Sequence, residues 1–154
     1  MNDKNTSLAR KYGITSIPRV IVEVANNQKD VLIDKSGFRS KNQHLSELQY
    51  INQFDLKEVY LANNESEYGS AYRNLFISDK KKSYTTLLKL SSKHFKKALK
   101  KEKNTVNQLN IIYNLKLKGS SKKANKNLEK LKLDKANLSE MENEIFQNII
   151  TNSI

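Results

Sequence analysis

The sequence predicts an α+β unit, in the order helix, β-hairpin, helix, over residues 1–53, followed by an all-α helical extension over residues 54–154. A β-branched run, Val20–Val24, follows the only proline of the chain, Pro18, and a polar turn separates this run from a second apolar stretch. From about residue 55 onward strand patterns are absent, and apolar residues recur at helical spacing. A chain of 154 residues is long enough for one domain, or for a partial domain with an appended unit.

The first predicted element is a short helix over residues 6–13. Thr6 or Asn5 can cap its start, because their side-chain oxygens accept hydrogen bonds from free backbone N–H groups. Gly13 suits the left-handed position that ends a helix. The apolar face of this helix consists of Leu8, Ala9 and Tyr12.

The second element is a hairpin. Pro18 fixes its own φ angle and biases Ile17 toward extended backbone. The β-branched run that follows fits a strand buried on both faces. Residues 26–30 read as a polar turn and Val31–Ile33 as the returning strand, so residues 19–34 are predicted to form an antiparallel hairpin. Since a two-stranded hairpin is marginal alone, its free edge is expected to need another strand or a helical cover.

Helices are predicted for the rest of the chain. Ser40 and Gln43 form a capping box that opens a helix with Leu45, Leu48 and Ile51 on one face. Five more helices are predicted over residues 65–77, 84–101, 106–117, 121–131 and 139–150. Their connections are short, so neighbouring helices are expected to pack as antiparallel hairpins.

The formal charge is +12, and it comes almost entirely from lysine, since arginine occurs only at positions 10, 19, 39 and 73. Lysine, asparagine and isoleucine are abundant together, a bias typical of AT-rich coding sequences. The excess charge is therefore weak evidence for an anionic partner.

Composition also excludes several kinds of chemistry. Because the chain has no cysteine, it has no disulfide, no thiolate metal site and no redox chemistry of its own. No cofactor and no metal are predicted, and both His44 and His94 are expected on helix surfaces. The sequence contains no run of about 18 apolar residues, so no membrane span is predicted. The chain as written also lacks a secretory signal, so it is cytoplasmic as written.

Several motifs in the first third of the chain occur in the order found in a known protein fold. They are Tyr12-Gly13-Ile14, then Ile17-Pro18 before the apolar strand, then Gly37-Phe38 before an amphipathic helix. This arrangement resembles the second half of the thioredoxin-like fold, around its cis-proline loop. Arg19 departs from the threonine most common in that family. The family's opening strands and its Cys-x-x-Cys helix would all precede Met1, so the true N-terminus of the full-length protein is expected to be missing.

The resemblance implies that the chain is the C-terminal portion of a thiol–disulfide oxidoreductase whose redox cysteines lie upstream. It also implies a cis bond between Ile17 and Pro18, and a substrate-binding role for these two residues beside the reactive cysteine. No catalytic residue is assigned within this chain, which should be inactive alone. The implied partners are proteins or peptides with disulfides, and a strand from the missing half. The compartment of the full-length protein, the substrate and the redox direction stay open.

Two other functions remain as hypotheses. The first is a non-enzymatic protein- or peptide-binding module built on a degenerate thioredoxin-like half-fold. The second is a basic nucleic-acid binder, which is disfavoured because arginine is scarce and no aromatic platform accompanies the lysines. The lysine clusters in question are Lys80–Lys82, Lys96-Lys97, Lys100-Lys101 and Lys122-Lys123.

Overall fold

The computed structural model describes residues 10–12, 19–25 and 29–151. The chain divides into two compact units, Met1–Gln53 and Phe54–Ile154. The described residues contain seven helices and one two-stranded antiparallel sheet. The prediction of a small sheet within a mainly helical chain is therefore confirmed.

The sheet pairs β1 (Arg19–Glu23) with β2 (Val31–Ser36). Val22 lies opposite Ile33, and an irregularity follows at Glu23. All five residues of β1 are half-buried, whereas the sequence predicted a strand buried on both faces. The difference follows from the sheet itself, because β2 is the only strand that pairs with β1 among the described residues.

Helix α1 (Lys41–Ile51) starts at the predicted capping box. The Gln43 N–H donates to Ser40 Oγ over 3.2 Å, and the Ser40 N–H donates to Gln43 Oε1 over 2.9 Å. Of the predicted apolar stripe, Ile51 is buried, but Leu45 and Leu48 are exposed by 43% and 39%.

The second unit is an array of six helices. They are α2 (Lys57–Leu61), α3 (Glu65–Ser78), α4 (Thr86–Lys101), α5 (Thr105–Leu117), α6 (Ser121–Leu131) and α7 (Glu140–Thr151). The five predicted helices are confirmed to within two residues at each end, and α2 was not predicted. Helix α3 packs on α2 and α4, α4 packs on α5, and α5 packs on both α6 and α7.

Aromatic residues at helical spacing form part of the interior of the second unit. Tyr72, Phe76 and Phe95 are almost completely inaccessible. A second cluster joins α5, α6 and α7 through Leu109, Ile112, Tyr113, Ala124, Ile145 and Ile149. These two groups of buried residues hold together the helices that line the cleft described below.

A buried polar seam crosses α3, α4 and α5. The Ser91 hydroxyl donates to the Gly69 carbonyl oxygen over 2.6 Å. Because that proton is used, Ser91 Oγ can only accept from Asn114 Nδ2, at 2.8 Å, and this fixes the orientation of the amide. No helix in the described part of the chain is long and apolar enough to span a membrane.

Candidate functional site

The two residues that the resemblance assigns to substrate binding, Ile17 and Pro18, lie outside the described residues. On one flank of the hairpin, Lys11 and Tyr12 both donate hydrogen bonds to the Glu23 carboxylate. The hydrogen bond from Tyr12, followed by that from Lys11, holds the pKa of Glu23 below its ordinary value. The role of Ile17 and Pro18 remains a prediction.

Arg19, the next residue, joins the two strands of the hairpin. Its Nε and Nη2 atoms each lie 2.6 Å from an oxygen of Asp34 on the neighbouring strand. This fork-to-fork hydrogen bonding lowers the pKa of Asp34. Arg19 thus has a structural partner within the sheet.

A cleft of about 710 Å³ lies in the helical unit, between α2, α3, α5 and α7. Among the described residues that line it, Arg73 of α3 is the one cation. We call this feature the Arg73 cleft. Its volume falls in the range of roughly 300–1,000 Å³ that is usual for sites that bind small molecules.

The Arg73 guanidinium is held by aromatic rings and one amide. Its Cζ lies 5.2 Å from the ring centroid of Tyr113 and 5.7 Å from that of Phe95, within the range of cation–π attraction. Nη1 donates a hydrogen bond to Oδ1 of the buried Asn110. Burial lowers the pKa of Arg73, and the charges of Tyr113 and Glu144 oppose this effect. Arginine nevertheless keeps its proton in proteins, so the cleft contains a permanent, half-desolvated cation.

Helical spacing places these groups together. Asn110 and Tyr113 are three residues apart on α5, so they share a face. Gly69 lies one turn before Arg73 on α3, and a Cβ atom there would lie 2.9 Å from three atoms of the Phe95 ring. The missing side chain at Gly69 therefore lets Phe95 approach α3 beneath the guanidinium.

The cleft is acidic apart from Arg73. In the part of the chain that the structure describes, three glutamates and no lysine line it, although the chain is strongly basic. Glu67 accepts hydrogen bonds from the Asn63 N–H and from Asn64 Nδ2, and Glu58 accepts one from Asn74. The side chain of Glu144 makes no hydrogen bond or ion pair with any residue that the structure describes. Arg73 and Glu144 therefore present opposite charges to one cavity.

Sequence reasoning did not single out Arg73. One signal was available: it is the only arginine in residues 54–154, where every other basic residue apart from His94 is lysine. What the sequence could not provide is the contact of α3 with α4 and α5, which brings Phe95, Asn110 and Tyr113 around it.

A lysine-lined groove of about 640 Å³ runs along α4, α5 and α6. Its lysines are Lys89, Lys93, Lys96, Lys97, Lys100, Lys118 and Lys123. Of the predicted clusters, the groove unites parts of three, while Lys80–Lys82 lie outside it. Leucine, isoleucine, serine and asparagine complete its lining, without an aromatic ring or an arginine among the described residues.

The two histidines differ. His44 is half-buried on α1, but His94 is completely buried, so the expectation of a surface position was wrong for His94. Its imidazole lies against the rings of Tyr68 and Tyr72 and bonds to Glu65. The buried His94 ring therefore contributes to the packing between α3 and α4. No group of three or more potential metal ligands occurs in the described portion of the chain.

Comparison with known proteins adds no relative. No protein-family model matches the chain, and neither the search of curated proteins nor that of solved structures gives a significant match.

Proposed function

We propose that residues 1–53 form the C-terminal half of a thioredoxin-like domain, and that the chain is the C-terminal portion of a thiol–disulfide oxidoreductase. The order of elements after Pro18 supports this proposal: β1, an antiparallel β2, Gly37 and then α1. Gly37 has a φ angle of +91°, a left-handed conformation that favours glycine at the position where the family has one.

The chemistry of this proposal is divided between two parts of the protein. Disulfide exchange starts with the attack of a thiolate on a disulfide sulfur, and this chain carries no thiol. Its contribution is to position the substrate: the backbone of Ile17, next to a cis Pro18, hydrogen-bonds an extended peptide near the upstream cysteine. The 154-residue chain alone is redox-inert.

NMR on ¹³C-labelled protein tests the resemblance. Pro18 is the only proline, so its Cβ and Cγ signals are unambiguous, and their separation reports the isomer of the preceding peptide bond. The proposal predicts a cis bond, whereas a trans bond would contradict it. Thiol-dependent reduction of a disulfide substrate by the purified chain would also contradict it, because no residue here can carry that reaction.

A second candidate is a non-enzymatic module that binds a protein or peptide. The observation that favours it is the Arg73 cleft, which combines a half-desolvated cation, three carboxylates and apolar side chains in one cavity. A specific ligand in this cleft, together with a trans Pro18, would move this candidate ahead of the oxidoreductase.

A further inference from the structure

The Arg73 guanidinium has hydrogen-bonding capacity that the protein does not use. A guanidinium carries five N–H donors in a planar fork. Within the described residues, Asn110 Oδ1 is the only acceptor that Arg73 reaches. The rings of Phe95 and Tyr113 contact the cation but accept no strong hydrogen bond. The remaining donors therefore suit an oxygen-rich anion that arrives from the cleft.

The geometry of a guanidinium favours a carboxylate as that anion. A carboxylate accepts two parallel hydrogen bonds from the fork, and these charge-assisted bonds are stronger than neutral ones. Phosphate-rich ligands fit less well, because Glu58, Glu67 and Glu144 line the same cleft and would repel several negative charges. A single carboxylate balances the charge of the single arginine in this cleft.

Glu144 suggests the second charged group of the ligand. Its side chain lines the same cleft as Arg73, and its charge opposes the lowering of the Arg73 pKa by burial, yet the two side chains form no ion pair with each other. An ammonium group near Glu144 would be neutralised while a carboxylate occupies Arg73. Apolar lining from Val106, Met141 and Ile145 completes a surface for a hydrocarbon side chain.

We propose that the Arg73 cleft binds a zwitterionic amino acid or short peptide, with its carboxylate on Arg73, its ammonium near Glu144 and an apolar side chain against α5 and α7. This inference goes beyond the oxidoreductase proposal and does not depend on it, since every residue involved belongs to the helical unit. A non-catalytic binding role follows for that unit whatever the chemistry of residues 1–53.

NMR titration of the ¹⁵N,¹³C-labelled full chain tests the proposal. The probes are L-leucine, L-alanyl-L-leucine, 4-methylpentanoate, which lacks the ammonium, and 3-methylbutan-1-amine, which lacks the carboxylate. We expect saturable shifts at the Tyr113 and Phe95 rings and at Arg73 Nε with leucine or the dipeptide. The acid should bind about tenfold more weakly, and the amine should not bind at this site. If L-leucine binds more tightly than L-alanyl-L-leucine, the natural ligand is a free amino acid. If the dipeptide binds more tightly, it is a peptide.

Two variants and one control complete the test. Arg73→Gln should weaken binding of the better zwitterion by about tenfold or more. Lys126→Gln removes the same charge from an exposed position on α6 and should leave binding unchanged. Asn110→Asp places a carboxylate on Arg73 from within the protein and should compete with the ligand, while circular dichroism reports whether the fold persists.

Several results would overturn the proposal. They are the absence of shifts at these rings with both zwitterions, equal affinity for the acid and for leucine, or equal affinity of folded Arg73→Gln and Lys126→Gln. The ligand series uses the native chain, so it decides the matter even if a variant fails to fold.

Discussion

His94 Nδ1 lies 2.6 Å from Glu65 Oε2, and its completely buried imidazole is nearly parallel to the ring of Tyr72, at 17°. Glu65 opens α3, where a negative charge also favours the helix dipole. Burial raises the pKa of Glu65, but the hydrogen bond from His94 and the charge of Lys97 outweigh it and hold the pKa below its ordinary value. The ionised carboxylate can only accept, so Nδ1 donates and joins α4 to the start of α3.

This pair gives the protein an acid-sensitive contact. The pKa of Glu65 is lower in the folded chain than in the unfolded chain. The stabilisation from the Glu65–His94 contact is therefore complete above the unfolded pKa of about 4.3, and it is lost as the pH falls through the folded pKa. We expect Glu65→Gln to lower the free energy of unfolding at pH 7 by about 1–2 kcal/mol.

Urea unfolding of both proteins between pH 7 and pH 3 measures the effect. The difference between wild type and Glu65→Gln should shrink toward pH 3. Glu129→Gln, an exposed change on α6, serves as the control and should have little effect at any pH. A constant difference across the pH range would show that the Glu65 charge is not responsible.

The helical unit shows how far sequence reasoning extends. Helix bounds and core stripes were predictable, because apolar spacing at Tyr68, Tyr72 and Phe76 records which face is buried. The prediction of a surface position for His94 was wrong because the hydrogen-bond partner of its buried ring, Glu65, lies on another helix. The five residues of α2 are too short to show a period, and the surroundings of Arg73 depend on contacts among three helices.

Gly69 is expected to be essential for the packing of Phe95. Alanine normally improves a helix interior relative to glycine, by about 1 kcal/mol. At Gly69, however, the added Cβ atom would lie 2.9 Å from the completely buried Phe95 ring. Gly69→Ala should therefore destabilise the chain by about 1–3 kcal/mol.

Gly119→Ala gives a matched comparison for this prediction. Nothing lies within 4 Å of a Cβ at Gly119, but its φ angle is +79°, so the cost there is backbone strain of about 1 kcal/mol. Thermal unfolding compares the two variants. Only Gly69→Ala should shift the NMR signals of Phe95 and of Arg73 Nε, and unchanged Phe95 signals would count against the packing argument.

The capping box at the start of α1 predicts a local effect in the first unit. Ser40→Ala removes the acceptor for the Gln43 N–H, and should cost about 1 kcal/mol of local stability. Ser46→Ala on the same helix removes a hydroxyl at an exposed interior position and should be neutral or slightly stabilising. Amide exchange at Gln43 should accelerate only in Ser40→Ala, and equal exchange in the two variants would argue against the cap.

The lysine-lined groove predicts electrostatic binding without specificity. Its lysines can contact phosphates, but it has no arginine for base edges and no aromatic ring for stacking in the described structure. Any affinity for duplex DNA should therefore fall steeply with salt and be lost by about 200 mM. Fluorescence anisotropy at several salt concentrations measures this. Sequence-selective binding that persists at that salt would restore the nucleic-acid hypothesis.

The most direct test of the oxidoreductase proposal is to read the coding sequence upstream of the Met1 codon. The proposal predicts an in-frame extension that encodes a Cys-x-x-Cys helix with its preceding strands, so that Ile17 and Pro18 follow at the family's spacing. An in-frame stop codon with a ribosome-binding site directly before Met1 would contradict the proposal, and the binding module with its Arg73 cleft would take its place.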